Sequence, residues 1–306
     1  MLYKKEIRKM IEEWILPPQI LYFIRSWIIP FLRTRNFSTL RMFEKKTNRL
    51  FVLATGPSLN DDLKRYRNDI ISNDSLVMNM FATSPLFKEL KPRIYLLADP
   101  LWFKSSEVIG KSTFKHNYET LLNALLENVN WKLDLIVPDY AINSDLVKSL
   151  KENVNIKVLF YNSRSTAKGK LGLWLMKKGW VAPPAQTVAN VAAGLGVFLK
   201  YTEVWMLGID TSMHTMMRVD QITNEMWLEN THFYGKKREK GYRDADKSKA
   251  YTVSYFLGCA VKMFEGYERI REFADYCKVR VVNASSFSWV DSLERPKNGC
   301  IVQEGM

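Results

Sequence analysis

Seven short apolar runs, separated by longer helical patterns, constrain this chain more than any other feature. They are LFVLA (50–54), SLVMN (75–79), IYLLA (94–98), DLIVP (134–138), IKVLF (156–160), EVWML (203–207) and VRVV (279–282). Runs this brief, with no polar–apolar alternation, suit strands covered on both faces. The spacing of apolar residues predicts helices near 60–70, 83–90, 116–129, 144–152, 186–200 and 248–276. Strands alternating with helices predict an α/β fold, a Rossmann-like, doubly wound and mostly parallel sheet spanning residues 49–306. A sheet of that kind binds its ligand beyond the carboxyl ends of the strands.

Those ends carry polar groups. The first run opens into Thr55-Gly56-Pro57-Ser58, the second ends in Asn79, and the third leads to Asp99-Pro100. The EVWML run leads to Gly208-Ile209-Asp210, and the last to Asn283-Ala284-Ser285. Each has a plainer reading: a turn with a helix cap at Gly56 to Ser58, a cap at Asn79, an Asx turn at Asp99, and a capping or buried, paired acid at Asp210. The set together reads as a nucleotide crevice. The first loop has neither a G-x-G-x-x-G pattern nor a Walker lysine. It therefore suits a mono- or diphosphate held by backbone N–H groups and hydroxyls better than a triphosphate. The helix after APPAQ starts at Gln186 and Thr187, and its small residues (Ala192, Ala193, Gly194, Gly196) suit a buried crossover. Its amino terminus points to the same crevice. Residues 208–247, rich in charge and Met, read as one long irregular, lid-like region.

Residues 1–48 differ from the body. The first 49 residues hold eleven Lys and Arg against four Glu, so more than half of the net charge of +13 lies in a sixth of the chain. Within them, WILPPQILYFIRSWIIPFL (14–32) is interrupted by Pro17, Pro18, Pro30 and Arg25, which argues against a spanning helix. This basic, amphipathic, helical extension suits either an interfacial segment on an anionic membrane surface or packing against the body or a second copy in a homo-oligomer. The expected location is cytoplasmic, peripheral to the inner face of the inner membrane. Three scattered cysteines and three histidines form no disulfide framework or zinc spacing, so no metal is expected. The positive charge alone permits a nucleic-acid partner, but no motif that reads RNA or DNA is present.

The motifs VLATGPSL, MNMF, ADP, PAQTVANVAAGLGVFLKYTEVWMLGID and NTHFYG resemble those of the bacterial lipooligosaccharide sialyltransferases. That resemblance implies a single-domain GT-A variant fold and a metal-independent glycosyltransferase. It would move a sialic-acid-like sugar from a CMP-activated nucleotide-sugar donor to a glycan or lipid-linked glycan acceptor. GPSL, LGID and VVNASSFSWVDSLER also look like the broader MptE-like group, which includes a 6-hydroxymethylpterin diphosphokinase. That alternative implies ATP and Mg²⁺, with room for one ion near Asp99 and Asp210. A third reading is a non-catalytic nucleotide-binding protein. Together the resemblances cover about residues 50–295.

The sialyltransferase resemblance implies donor contacts from Gly56, Pro57, Ser58, Asn79, Asp99, Thr187 and Gly208, and the polar strand and helix ends add Thr55, Gln186, Asn283 and Ser285 to the expected donor site. His232 is the expected general base, His214 the second choice, and Asp210 belongs with them in the catalytic set. Tyr234, Lys236 and Tyr242 would close over the phosphate. This chain departs from the family pattern at Thr55 (asparagine there), Ser212 (tyrosine) and Lys236 (histidine).

Overall fold

Alternate residues of the first strand, β1 (Arg49–Leu53), enter two different cores. Leu50 and Val52 pack on one side, Phe51 and Leu53 on the other, and all four are fully buried. This two-sided burial is why the run carries no polar alternation. The computed structural model describes residues 39–163, 169–232, 235–242 and 249–296. The other strands of the main sheet are β2 (Asp74–Met78), β3 (Ile94–Leu96), β4 (Leu133–Pro138), β5 (Ile156–Tyr161), β6 (Glu203–Leu207) and β10 (Arg280–Asn283). Their order is β10-β6-β1-β2-β3-β4-β5, and every pairing is parallel. The chain steps outward from β1 to β5, then returns to the far side of β1 as β6. The winding therefore reverses between β1 and β6, and a crevice opens at such a point.

One face is covered by α1 (Leu59–Ser72), α2 (Pro85–Leu90), α3 (Ser106–Gly110), α4 (Lys115–Asn128) and α5 (Asp145–Leu150). The other is covered by α6 (Gly169–Lys178), α7 (Val188–Phe198) and α8 (Val253–Cys277). Gly196 brings α7 close to β1 and β6: a Cβ there would lie 2.7 Å from Val204. The expected fold class and all seven main strands are present.

Part of the expected irregular region is regular. Strands β7 (Met217–Val219), β8 (Met226–His232) and β9 (Gly235–Glu239) form an antiparallel sheet in the order β7-β8-β9. Asp220 turns the first hairpin, its carboxylate accepting the N–H groups of Ile222 and Thr223. Met226 and Leu228 pack on Phe256 at the start of α8. These strands are short and charged, with GKKRE as β9, so apolar periodicity does not signal them. Helices α3 and α6 likewise lie beyond the sequence expectation.

Residues 39–48 belong to the body. Leu40 is buried, Thr39 Oγ1 accepts the N–H of Phe160 at 3.1 Å, and the N–H of Lys46 donates to Asp74 at 2.8 Å. The 14–32 segment, with its expected membrane or subunit contact, lies outside the described residues. Among the described residues, no helix is long and apolar enough to cross a membrane.

Candidate functional site

A cleft of about 230 Å³ opens where β1 and β6 part. Thr55, Gly56 and Pro57 line it from the β1 loop, and Asn79 from β2. Gly208 to Met213 line it from β6, Thr187 to Ala189 from α7, and Met263 and Tyr267 from α8. It runs on into a wider hollow of about 610 Å³ over β3 to β5, where Asp99, Tyr140, Ser163 and Gln186 stand. Asn79, Thr187 and Val188 border both spaces. The sequence expectation thus places Thr55, Gly56, Pro57, Asn79, Asp99, Gln186, Thr187, Gly208 and Asp210 around one continuous opening.

The first loop does not work as a phosphate nest. The N–H of Gly56 donates to the Gly208 carbonyl at 2.9 Å, and that of Ser58 to Asp210 Oδ2 at 3.1 Å. Leu59 and Asn60 donate back into the turn, to the carbonyls of Gly56 and Pro57. The hydroxyl of Ser58 donates to Asp210 Oδ1 at 2.5 Å, so it is spent on the protein. Asp210 is accordingly the buried, paired acid of the plainer reading. Its carboxylate ties the β6 tip to the β1 loop, which corrects its place in the catalytic set.

A second carboxylate, Asp62, does similar work and is not among the expected site residues. It accepts the N–H of Gly208 at 2.9 Å and that of Ser286 at 2.6 Å. Burial pushes the carboxyls of Asp62 and Asp210 above the usual aspartate value of 3.8; Asp210 repulsion adds to the effect at Asp62, and hydrogen bonds oppose it at both. A raised native value means that the folded state binds these protons more readily than the unfolded state. Their stabilising contribution is therefore fully present below the unfolded value, and it is lost as pH rises through the native values. Carboxyl NMR titration should show both midpoints above 3.8, and Asp62→Asn should remove one of them. A native midpoint for Asp62 at or below 3.8 would overturn this account.

Asn283 and Ser285 are also corrected. Both are almost fully buried. The Asn283 amide donates to the Val290 carbonyl at 2.9 Å, and Ser285 Oγ accepts the N–H of Ile209 at 3.0 Å. They brace the lip and leave no polar group for a ligand. His214 lies beside the cleft, its ring edge-on to Trp289 at 4.6 Å. Tyr242 pairs with Ala250 outside the cleft lining. His232 ends β8, opposite Gly235, and Lys236 pairs with Thr231. The side chains of His232 and Lys236, and all of Tyr234, lie outside the described residues.

What the cleft does present is the amino terminus of α7. Thr187 caps it: its Oγ1 accepts the N–H of Asn190 at 3.3 Å, and Asn190 Oδ1 accepts the N–H of Thr187 at 3.2 Å. The N–H groups of Val188 and Ala189, at the first two helical positions, have no partner within the helix, and its first turn carries no acid. The positive end of the helix dipole therefore faces the opening uncompensated. Tyr267 stands beside this cap. Its phenol is buried near Thr187 and Thr211, and burial pushes its pKa up to about 12. Thr211 and Asn79, on opposite lips, both adopt left-handed backbone, with φ of 56° and 53°. For a β-branched threonine that conformation is strained. Neither the placement of Tyr267 nor the Thr211 strain has a signal in the sequence.

This arrangement defines a doubly wound α/β protein with a cleft at the switch point and the amino terminus of a helix within it. No family model matches the chain, and no curated protein sequence does. Among solved structures it is similar to the MAf glycosyltransferase from Magnetospirillum magneticum AMB-1, with 12% identity and a TM-score of 0.48. The similarity covers 83% of this chain and 34% of that one, so the chain spans about a third of that protein's length.

Proposed function

We propose that the chain is a glycosyltransferase that moves a sialic-acid-like sugar from a CMP-activated donor to a glycan acceptor, without a metal ion. The observation that carries this reading is the uncompensated amino terminus of α7 in the switch-point cleft. A helix end of that kind suits a single phosphate, and the β1 loop has no lysine and no spare nest for a triphosphate. The sialyltransferase-like motifs around the same cleft favour cytidine monophosphate as the leaving group.

In the reaction a base takes the proton of an acceptor hydroxyl, and that oxygen bonds to the anomeric carbon of the donor sugar. The bond between this carbon and the phosphate oxygen breaks, and the phosphate leaves with the electron pair. The end of α7 stabilises the charge gathering there. His232 is the proposed base, since a histidine titrates near neutrality. Lys236, on the neighbouring strand, is the proposed partner of the departing phosphate.

A thermal-shift panel of CMP, CDP, UDP, GDP and ATP, each with and without Mg²⁺, tests the donor class. Stabilisation by CMP or CDP without metal is expected; stabilisation by Mg-ATP alone would instead indicate phosphoryl transfer. His232→Ala should keep the CMP shift and lose turnover by about 10²-fold or more. Unchanged turnover would remove His232 as the base.

A further inference from the structure

We infer that the outward face of α6 is a docking surface for an anionic lipid bilayer, with Leu171 and Trp174 seated between headgroups and Lys170, Lys177 and Lys178 set among their phosphates. The inference stands apart from the transferase reading, because it concerns another part of the molecule and no step of the reaction.

The residues of α6 divide by face. At about 100° per residue, Lys170, Leu171, Trp174, Lys177 and Lys178 fall within an arc of roughly 120°. All five are exposed, whereas Gly172, Leu175 and Met176, on the other side of the helix, are buried. Leu171 is 48% exposed and Trp174 37%. Contacts confirm that these side chains share one face: Lys178 Nζ lies 5.8 Å from the centre of the Trp174 ring. The Trp174 ring is braced edge-on by Trp180 at 5.3 Å. Lys177 Nζ stands 5.5 Å from the centre of the Tyr276 ring, which is itself exposed on α8.

The charge of this face has one sign. GKLGLWLMKK carries three lysines and no acid. At its carboxyl end the exposed Arg41 adds a cation, donating to the Lys178 carbonyl at 3.3 Å. At its amino end Arg269 of α8 donates to the Gly169 carbonyl at 3.1 Å and pairs with Glu272, the acid that these contacts bring beside α6. The helix dipole accounts for lysines at positions 177 and 178, in the last turn. It does not account for Lys170, the second residue of the helix, where a cation opposes the dipole.

This chemistry selects the occupant. A second copy of the chain would set lysine against lysine. A nucleic acid would engage the cations but has no use for an exposed leucine among them. An anionic bilayer uses both: lysines pair with headgroup phosphates while their stems, Trp174 and Leu171 lie at the boundary of headgroups and acyl chains. The chain enters its described body at this same place. Leu40 lines a cavity with Met176 and Gly179, and Arg41 holds the end of α6. The basic and aromatic residues 1–38 therefore join the body beside a second basic and aromatic stretch.

The test uses the full-length chain with phosphatidylcholine vesicles containing roughly 30% phosphatidylglycerol, and with phosphatidylcholine alone, at about 0.15 M salt. The chain should sediment with the anionic vesicles and not with the neutral ones. The triple variant Lys170→Ala/Lys177→Ala/Lys178→Ala should bind at least about tenfold more weakly, since each lysine near an anionic surface is worth about fivefold. Leu171→Ser should bind about threefold or more weakly. Both changes fall on exposed side chains, and unchanged thermal midpoints report that the variants fold. Lysine acetylation followed by mass spectrometry separates this face from binding carried by residues 1–38 alone. With anionic vesicles bound, Lys170, Lys177 and Lys178 should react several-fold more slowly, while Lys64 and Lys111, exposed on the opposite side of the sheet, react as before. No sedimentation of the wild type, undiminished binding by either variant, or no protection of the three lysines would overturn the docking surface. So would protection of those lysines by single-stranded oligouridylate and none by vesicles; that result would make the face a nucleic-acid site.

Discussion

Gly56→Ala should destabilise the protein by about 3 kcal/mol, with a thermal midpoint roughly 6–10 °C lower. A Cβ at this position would lie 2.2 Å from Asp210 Oδ1 and 2.5 Å from the Gly208 carbonyl oxygen. Neither atom has room to retreat. Asp210 is held by both the hydroxyl and the N–H of Ser58, and the Gly208 carbonyl accepts the N–H of Gly56 itself. Relief of the clash must therefore break buried hydrogen bonds, and each buried group left unsatisfied costs about 1–3 kcal/mol. The loop lines the cleft, so CMP affinity should fall with stability. Gly110→Ala is the control: a Cβ there meets nothing within 4 Å, and the residue sits at the end of α3. It should be neutral or gain up to about 1 kcal/mol. Equal midpoints for the two variants, by differential scanning calorimetry, would show that the β1 loop tolerates a side chain.

Gly56 also marks the limit of what the sequence tells. A glycine in that turn signals that something comes close, and the strand ahead of it is legible from its apolar run. What comes close is Asp210, whose partner Ser58 lies 152 positions away in the chain, and no local pattern reports such a pairing. The same holds for Asp62, an unremarkable acid in the first turn of α1, whose carboxylate receives Gly208 across 146 positions. The main strands were legible because burial on both faces writes itself into composition. Helix α7 was legible from the apolar and small residues that follow Thr187, but its cap was not: Thr187 and Asn190 read as first-turn residues, whereas Thr187 stands just outside the helix and pairs with Asn190 as a capping box. Strands β7 to β9 were not, because their stability rests on pairing and on a few contacts to α8. Asn283 and Ser285 show the converse failure: polar residues at a strand end look like ligand contacts until their hydrogen bonds are counted.

Ala189→Asp should separate ligand binding from stability at the amino terminus of α7. Ala189 is the second residue of this helix and lines the cleft. An aspartate in the first turn complements the helix dipole and adds about 0.3–1 kcal/mol to helix stability. Structural considerations alone thus predict a thermal midpoint that is unchanged or higher. A phosphate bound at the same helix end would meet the new carboxylate. At a separation near 4 Å and an effective dielectric of about 20, the repulsion is roughly 4 kcal/mol, and partial solvation reduces it to about half. CMP affinity measured by titration calorimetry should therefore fall by thirtyfold or more, at roughly 2 kcal/mol or above. Ala189→Asn fills nearly the same space without charge and should stay within about fivefold, which isolates electrostatics from size. Opposite signs for stability and affinity in one variant are not produced by general damage to the fold. If Ala189→Asp binds CMP as the unmodified chain does, the α7 terminus is not the phosphate site, and the donor assignment loses the observation that carries it.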